Sequence, residues 1–314
     1  MHGLDDCYVH ACIAQRECLL HRTGGNLTKA VQTIHDISEN RSQCQLDVNP
    51  RIHILAGGTA IQRALNFFQN EELAASMQAL DTWQPIHNTP AEQVVAFRID
   101  VIRGRILRFQ GQFRESLACL ERHATDQRGD LIFDEDRPDL MCELADTFRE
   151  LDNPLRGEQV LRKQLTRRES AHASTICLLK LSLAESLYAQ GRYHESQELC
   201  SDVISQQGVS KMGRLRLYIT LAKLRYVASD WDAAFEDWTK ALSVMNQFPP
   251  TSGLATHAIH LSISDILRRR DQGDLELASQ PAIALLEQLS EKSEAKYWIA
   301  GLRHWSAFLK LRDT

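Results

Sequence analysis

The sequence predicts an all-α fold, a solenoid of stacked antiparallel helical hairpins. Three observations carry that expectation. A phrase recurs along the chain. It is clearest in LAESLYAQGRYHESQELCSDVI, where Ala184, Leu187, Gly191, Tyr193, Ser196 and Cys200 form a frame of small, apolar, turn, aromatic, small and apolar residues. The turn positions of the repeated phrase, at 111, 152, 191 and 229, lie 41, 39 and 38 residues apart, and such self-similarity marks a repeat architecture. Glycine and proline are sparse and fall between periodic segments, as helices require. Each hairpin cannot bury its apolar face alone and must stack on the next, so residues 1–314 are expected to form one array of about six to seven hairpins.

The elements follow in chain order. A first unit is expected around Gly25 (ECLLHRTGGNLTKAVQTI), and a second, more degenerate, around Glu71 (AIQRALNFFQNEELAASMQAL). Pro85 and Pro90 bracket the turn after it. The unit at Gly111 repeats the frame with Gly104, Leu107, Phe113, Ser116 and Leu120. In the unit at Asp152, Asn153-Pro154 suits a helix start, because proline fits the first helical position. The unit at Gly191 is followed by one at Ser229, with Ala222, Trp231, Ala234, Trp238 and Ala241 in the frame and Asp230 placed to cap its second helix. Pro249-Pro250 ends that hairpin. A last unit around Gly273 carries Pro281 inside its expected second helix, which predicts a late start or a kink. In the tail, residues 291–314, Trp298, Leu302, Trp305 and Leu309 make one apolar stripe. It reads as a C-terminal capping helix, with self-association through that helix as the functional alternative.

Residue by residue the phrase resembles the tetratricopeptide repeat family. The three best units match its frame well, although the spacing exceeds the family's usual 34 residues. The resemblance implies a right-handed superhelix whose first helices line a concave groove. It also implies that the second, ninth and twelfth positions of each first helix face that groove. Those positions are Arg98, Arg105 and Arg108; Asp139, Asp146 and Arg149; Leu178, Glu185 and Tyr188; Arg216, Lys223 and Tyr226; and His260, Leu267 and Arg270. The candidate ligand groove is therefore Arg98, Arg105, Arg108, Arg149, Tyr188, Arg216, Lys223, Tyr226 and Arg270. Arginine forks suit carboxylate or phosphate, and tyrosines supply amphipathic anchors. The implied function is a protein-binding scaffold or adaptor with a protein or peptide partner, an acidic one fitting the arginines. Reversing Arg105 and Arg108 to Glu is expected to weaken binding and leave the array folded. The mixed charge at the ninth positions, with Asp146 and Glu185 there, disfavours the carboxylate tails of chaperones.

Composition narrows the classes. A net charge of −5 gives no basic footprint for nucleic acid. No run of eighteen apolar residues is present and the N-terminus has no secretory pattern, so no membrane association is expected. The eight cysteines lack a CxxC pair and read as reduced thiols, in keeping with a cytoplasmic or nuclear location. Cys7, Cys12 and Cys18 do not have the spacing of common zinc motifs. No phosphate-binding glycine loop, nucleophile elbow or metalloprotease motif is present, and no cofactor is expected. The alternative reading is enzymatic. Glu135, Asp136 and Asp139 in FDEDRPD have the spacing of the acidic Mg2+ motif of isoprenoid-diphosphate enzymes, in which carboxylates hold the metal that binds diphosphate. The bland reading of the same residues is a charged helix start.

Overall fold

The computed structural model describes residues 2–23, 26, 29–33, 36, 50–124, 137–167, 172–206, 209–247, 253–269 and 294–311. Among them there is no strand, and no helix is long and apolar enough to cross a membrane. Gly25, Pro249, Pro250, Gly273 and Pro281 lie outside the described residues, and the units expected around Gly25 and Gly273 are described in part. Helix α1 (His2–Thr23) precedes five complete hairpins: α2 (Pro50–Gln69) with α3 (Leu73–Asp81), α4 (Pro90–Phe109) with α5 (Phe113–Ala124), α6 (Arg137–Glu150) with α7 (Pro154–Arg167), α8 (Ala173–Ala189) with α9 (Tyr193–Ile204), and α10 (Lys211–Val227) with α11 (Trp231–Met245). Helices α12 (Gly253–Arg269) and α13 (Lys296–Leu311) follow.

One turn is used five times. Glu71, Gly111, Asp152, Gly191 and Ser229 all have positive φ, between 55° and 81°. In each turn the N–H of that residue bonds the carbonyl three residues back, and the next N–H bonds the carbonyl five back. At Gly111 the acceptors are Arg108 and Leu107; at Ser229 the pair is Ser229 to Tyr226 and Asp230 to Arg225. This left-handed C-cap satisfies carbonyls the helix end would otherwise orphan and reverses the chain within three residues. Helix starts are equally local. Thr89 and Glu92 form a reciprocal capping box at α4, and Asp230 accepts from the Ala233 N–H at α11.

The small residues of the frame set how closely the paired helices approach. The Ser76, Ser116 and Ser196 hydroxyls each donate across the hairpin to a backbone carbonyl, of Ala64, Gly104 and Ala184, at 2.7, 2.7 and 2.8 Å. Where serine is absent the contact is barer. A Cβ on Gly157 would sit 3.3 Å from the Ala145 backbone, and Ala222 and Ala234 are both fully buried. Long first helices, of 20 residues in α2 and α4 and 17 in α8 and α10, take up part of the surplus over a 34-residue period, while α6, with 14, does not.

First helices touch one another in succession: α2 with α4, α4 with α6, α6 with α8, and α8 with α10. Each second helix packs on its own partner and on the first helix that follows. The layer in which like helices meet is the inner, shorter circumference, so first helices form the concave face. Helix α13 departs from the alternation. It packs on α12 through Leu302 and Trp305 against Leu261, while Ala295 and Trp298 at its start join the apolar core of α2, α3 and α4. Tyr297 covers Gly111 and meets Phe113 edge-on, and the Glu294 carboxylate accepts from the Ala74 N–H at the start of α3.

Candidate ligand groove

The concave face is built from side chains one turn apart on consecutive first helices. The first-helix spacing brings Arg105 and Arg108 of α4, Glu143, Asp146 and Arg149 of α6, Glu185 of α8 and Arg216 of α10 into one ion-pair ladder. Glu143 accepts from Arg105 Nε at 2.6 Å and from Arg108 Nη2 at 3.0 Å. Asp146 accepts from Arg149 at 2.5 Å and from Arg216 at 3.2 Å, with Arg108 at 3.6 Å. Glu185 accepts from Arg149 at 2.7 Å and from Arg216 at 2.6 and 2.9 Å. Burial alone would raise the carboxylate pKa values. The guanidiniums overcome it, Arg105 and Arg108 at Glu143, Arg149 and Arg216 first at Asp146, and Arg216 and Arg149 at Glu185, so all three are held below the ordinary range. The ladder joins the first helices of four hairpins by ion pairs, and removing one member leaves its partners short of a counter-charge.

Beyond the ladder the groove opens into a cavity of about 480 Å³. Its walls are Tyr188 of α8, Ile219, Lys223 and Tyr226 of α10, Trp238 of α11, Ala258, Ile259, Ser262 and Asp265 of α12, and Trp305 of α13. The Tyr226 hydroxyl donates to Asp265 at 2.5 Å and the Ser262 hydroxyl to the Ala258 carbonyl at 2.9 Å. Lys223 makes no ion pair with any described residue. Lys223 is an exposed residue on the cavity wall, and desolvation by its surroundings holds its pKa below the ordinary lysine value. Glu185 opposes that shift, and Arg149 and Arg216 add to it.

The architecture has known counterparts. A tetratricopeptide repeat protein from Parabacteroides merdae superposes with a TM-score of 0.50 at 16% identity, covering 95% of this chain and 99% of that one. NprR in complex with its cognate peptide NprX gives 0.59 at 11% identity, over 100% of this chain and 90% of that one. The apo form of RapI gives 0.56 at 13% identity, over 93% and 99%. The chain has the tetratricopeptide-like helical repeat fold. No protein-family model matches its sequence, and no curated protein matches it.

On this tetratricopeptide-like array, the groove positions expected from the sequence fall as follows. Arg105, Arg108, Arg149 and Arg216 come together, but each is paired within the ladder. Reversal of Arg105 and Arg108 to Glu would therefore set like charges against buried Glu143, so the expectation of an undisturbed fold is corrected. Tyr188, Lys223 and Tyr226 converge instead on the cavity. Arg98 is exposed on α4, apart from both groups, and makes its own contacts. Arg270 lies outside the described residues. Glu143, which anchors the ladder, was missed by the family's positions; it lies one turn before Asp146, and that spacing was the available signal. Of the acidic segment, Glu135 and Asp136 lie outside the described residues, while Asp139 is exposed in the first turn of α6 and adds to the field on Arg105. Among the described residues no three His, Cys, Asp or Glu side chains are grouped to hold a metal ion. Burial pushes the Cys142 and Cys200 thiols up to about 12, so neither supplies a thiolate at neutral pH.

Proposed function

We propose that the chain is a protein-binding adaptor whose concave groove receives a peptide or a segment of a partner protein. The carrying observation is the cavity among Tyr188, Lys223, Tyr226, Trp238 and Trp305, whose wall comes mostly from the first helices α8 and α10 and from α12. Its volume lies in the range of ligand sites, and its apolar walls with few polar groups are the usual composition of one. The fold supports the reading, since NprR with the same architecture has been solved with its cognate peptide. A cytoplasmic or nuclear setting accords with the free thiols of Cys119, Cys142, Cys177 and Cys200.

The test is site-specific photo-crosslinking followed by mass spectrometry. A crosslinking side chain at position 188 or 226 is expected to capture the partner. The same side chain at Glu198, exposed on the second helix α9, is expected to capture nothing in common. Equal capture from both faces would remove the groove from the binding surface.

A further inference from the structure

A second cavity, of about 550 Å³, lies on the other side of α10 from the first and has the size of a small-molecule site. Ile219, Lys223 and Tyr226 of α10 face the first cavity, while Arg214, Leu217, Leu221 and Arg225 face the second. At about 3.6 residues per turn these two sets fall on opposite faces of the helix. Second helices supply the side walls, with Gln197 and Ser201 on α9 and Asp237 and Lys240 on α11.

The charged side chains on this wall are Arg214, Arg225, Asp237 and Lys240. Arg225 meets Asp230 at 3.6 Å, and Lys240 meets Glu236 at 2.8 Å, both in partly exposed pairs. Asp237 is nine-tenths buried, and its one ion-pair contact among the described residues is the same Lys240, at 3.5 Å. Its titration shows the shortfall. At buried Glu143 and Glu158 the cost of burial is overcome by hydrogen-bonded donors, and both carboxylates are held below the ordinary range. At Asp237 desolvation prevails over Lys240 and Arg225, with Glu236 adding to the rise, and the pKa is pushed up. Arg214, exposed on the first turn of α10, makes no ion pair or side-chain hydrogen bond with any described residue. An under-paired anion and an unpaired cation thus share one cavity, over an apolar floor of Leu217 and Leu221. A guest with a single charge meets one of the two and leaves the other. A guest with both charges on an aliphatic stem meets both and covers the floor, as lysine stems cover apolar surface.

We propose that this second cavity binds a small zwitterion, an ammonium and a carboxylate joined by an aliphatic stem, with the ammonium on Asp237, the carboxylate on Arg214 and the stem on Leu217 and Leu221. The site is separate from the concave groove, and neither reading rests on the other.

Ligand-observed NMR titration of the full chain tests it with two zwitterions, 4-aminobutyrate and 6-aminohexanoate, against hexanoate and hexylamine, which carry one charge each. The better of the zwitterions is expected to bind about tenfold or more tightly than either singly charged probe, as a second charge-assisted hydrogen bond commands. Asp237→Asn should lower its affinity to that of hexanoate, and Arg214→Gln to that of hexylamine. Arg214→Gln should keep the thermal melt of the parent. Asp237→Asn should keep or raise it, because the charge removed is under-paired; a clear fall would show that Lys240 already satisfies the carboxylate, and the proposal would be lost. Equal affinity for all four probes, a zwitterion preference that survives in Asp237→Asn, or no binding of any probe overturns it as well.

Discussion

At the scale of single residues, the decisive feature is how carboxylates are held. Glu143 lies buried between two guanidiniums. Glu143→Gln leaves Arg105 without its ion-pair partner and Arg108 with Asp146 alone, at 3.6 Å, and a loss of about 3 kcal/mol is expected in urea melts. Exposed pairs such as His194 with Glu198 should be nearly silent in the same assay. Glu92 is held differently. The Thr89 N–H, first, and then those of Ile86 and His87 stabilise its charged form against burial and bring its pKa from 4.5 to about 2. A depressed folded pKa contributes stability that is complete above the unfolded value and is lost as pH falls through the folded one. Acid titration of the parent should therefore show stability draining between pH 4.5 and about 2. Glu92→Gln should flatten that part of the profile while leaving the share due to Glu143, Asp146 and Glu185. An unchanged profile would mean the capping box does not carry the titration.

At the scale of elements, the hairpin is the unit, and two of its positions are exacting. Ser196 is fully buried and donates to the Ala184 carbonyl, so Ser196→Leu overpacks the contact and removes that second hydrogen bond to a helical carbonyl. A cost of about 1–3 kcal/mol is expected from thermal melts. The turn residue is limited by conformation. A Cβ at Gly191 would meet nothing within 4 Å, so Gly191→Ser isolates the cost of a side chain at positive φ, about 1 kcal/mol. Ser229 already bears that cost at φ 60°, and Ser229→Gly should gain a few tenths to about 1 kcal/mol once the extra freedom of the unfolded chain is subtracted. Both positions were legible in the sequence, because turn and close-contact requirements each select a narrow set of residue types. The spacing of the groove residues was legible for the same reason. Their pairing was not, since Glu143 and Arg105 are 38 residues apart and only the stacking of α4 on α6 brings them together. Nor was the cavity legible, because it draws on five helices and the degenerate α12 and α13 carry half of its wall.

At the scale of the whole molecule, stability in a stacked array is a sum of neighbour contacts, so a linear stack frays from its ends. Here α13 runs from the α2–α5 hairpins, where Glu294, Tyr297 and Trp298 dock, to α12, where Leu302 and Trp305 dock. The first and last parts of the array are thereby neighbours. Among the described residues the row from α2 to α12 is closed on itself by α13, with α1 outside it on α2, and melting one unit of the row opens the circuit. Tyr297→Ala with Trp298→Ala should cut that circuit. Hydrogen exchange is expected to change from one shared opening rate for α2–α12 to a graded series, fastest in α12. If the graded series is already present in the parent, the circuit is open to begin with. A closed circuit also bounds how far the groove can widen. A guest that spreads the hairpins works against the docking of α13, so the width of the groove is tied to a contact made 220 residues downstream of the helix start it clasps.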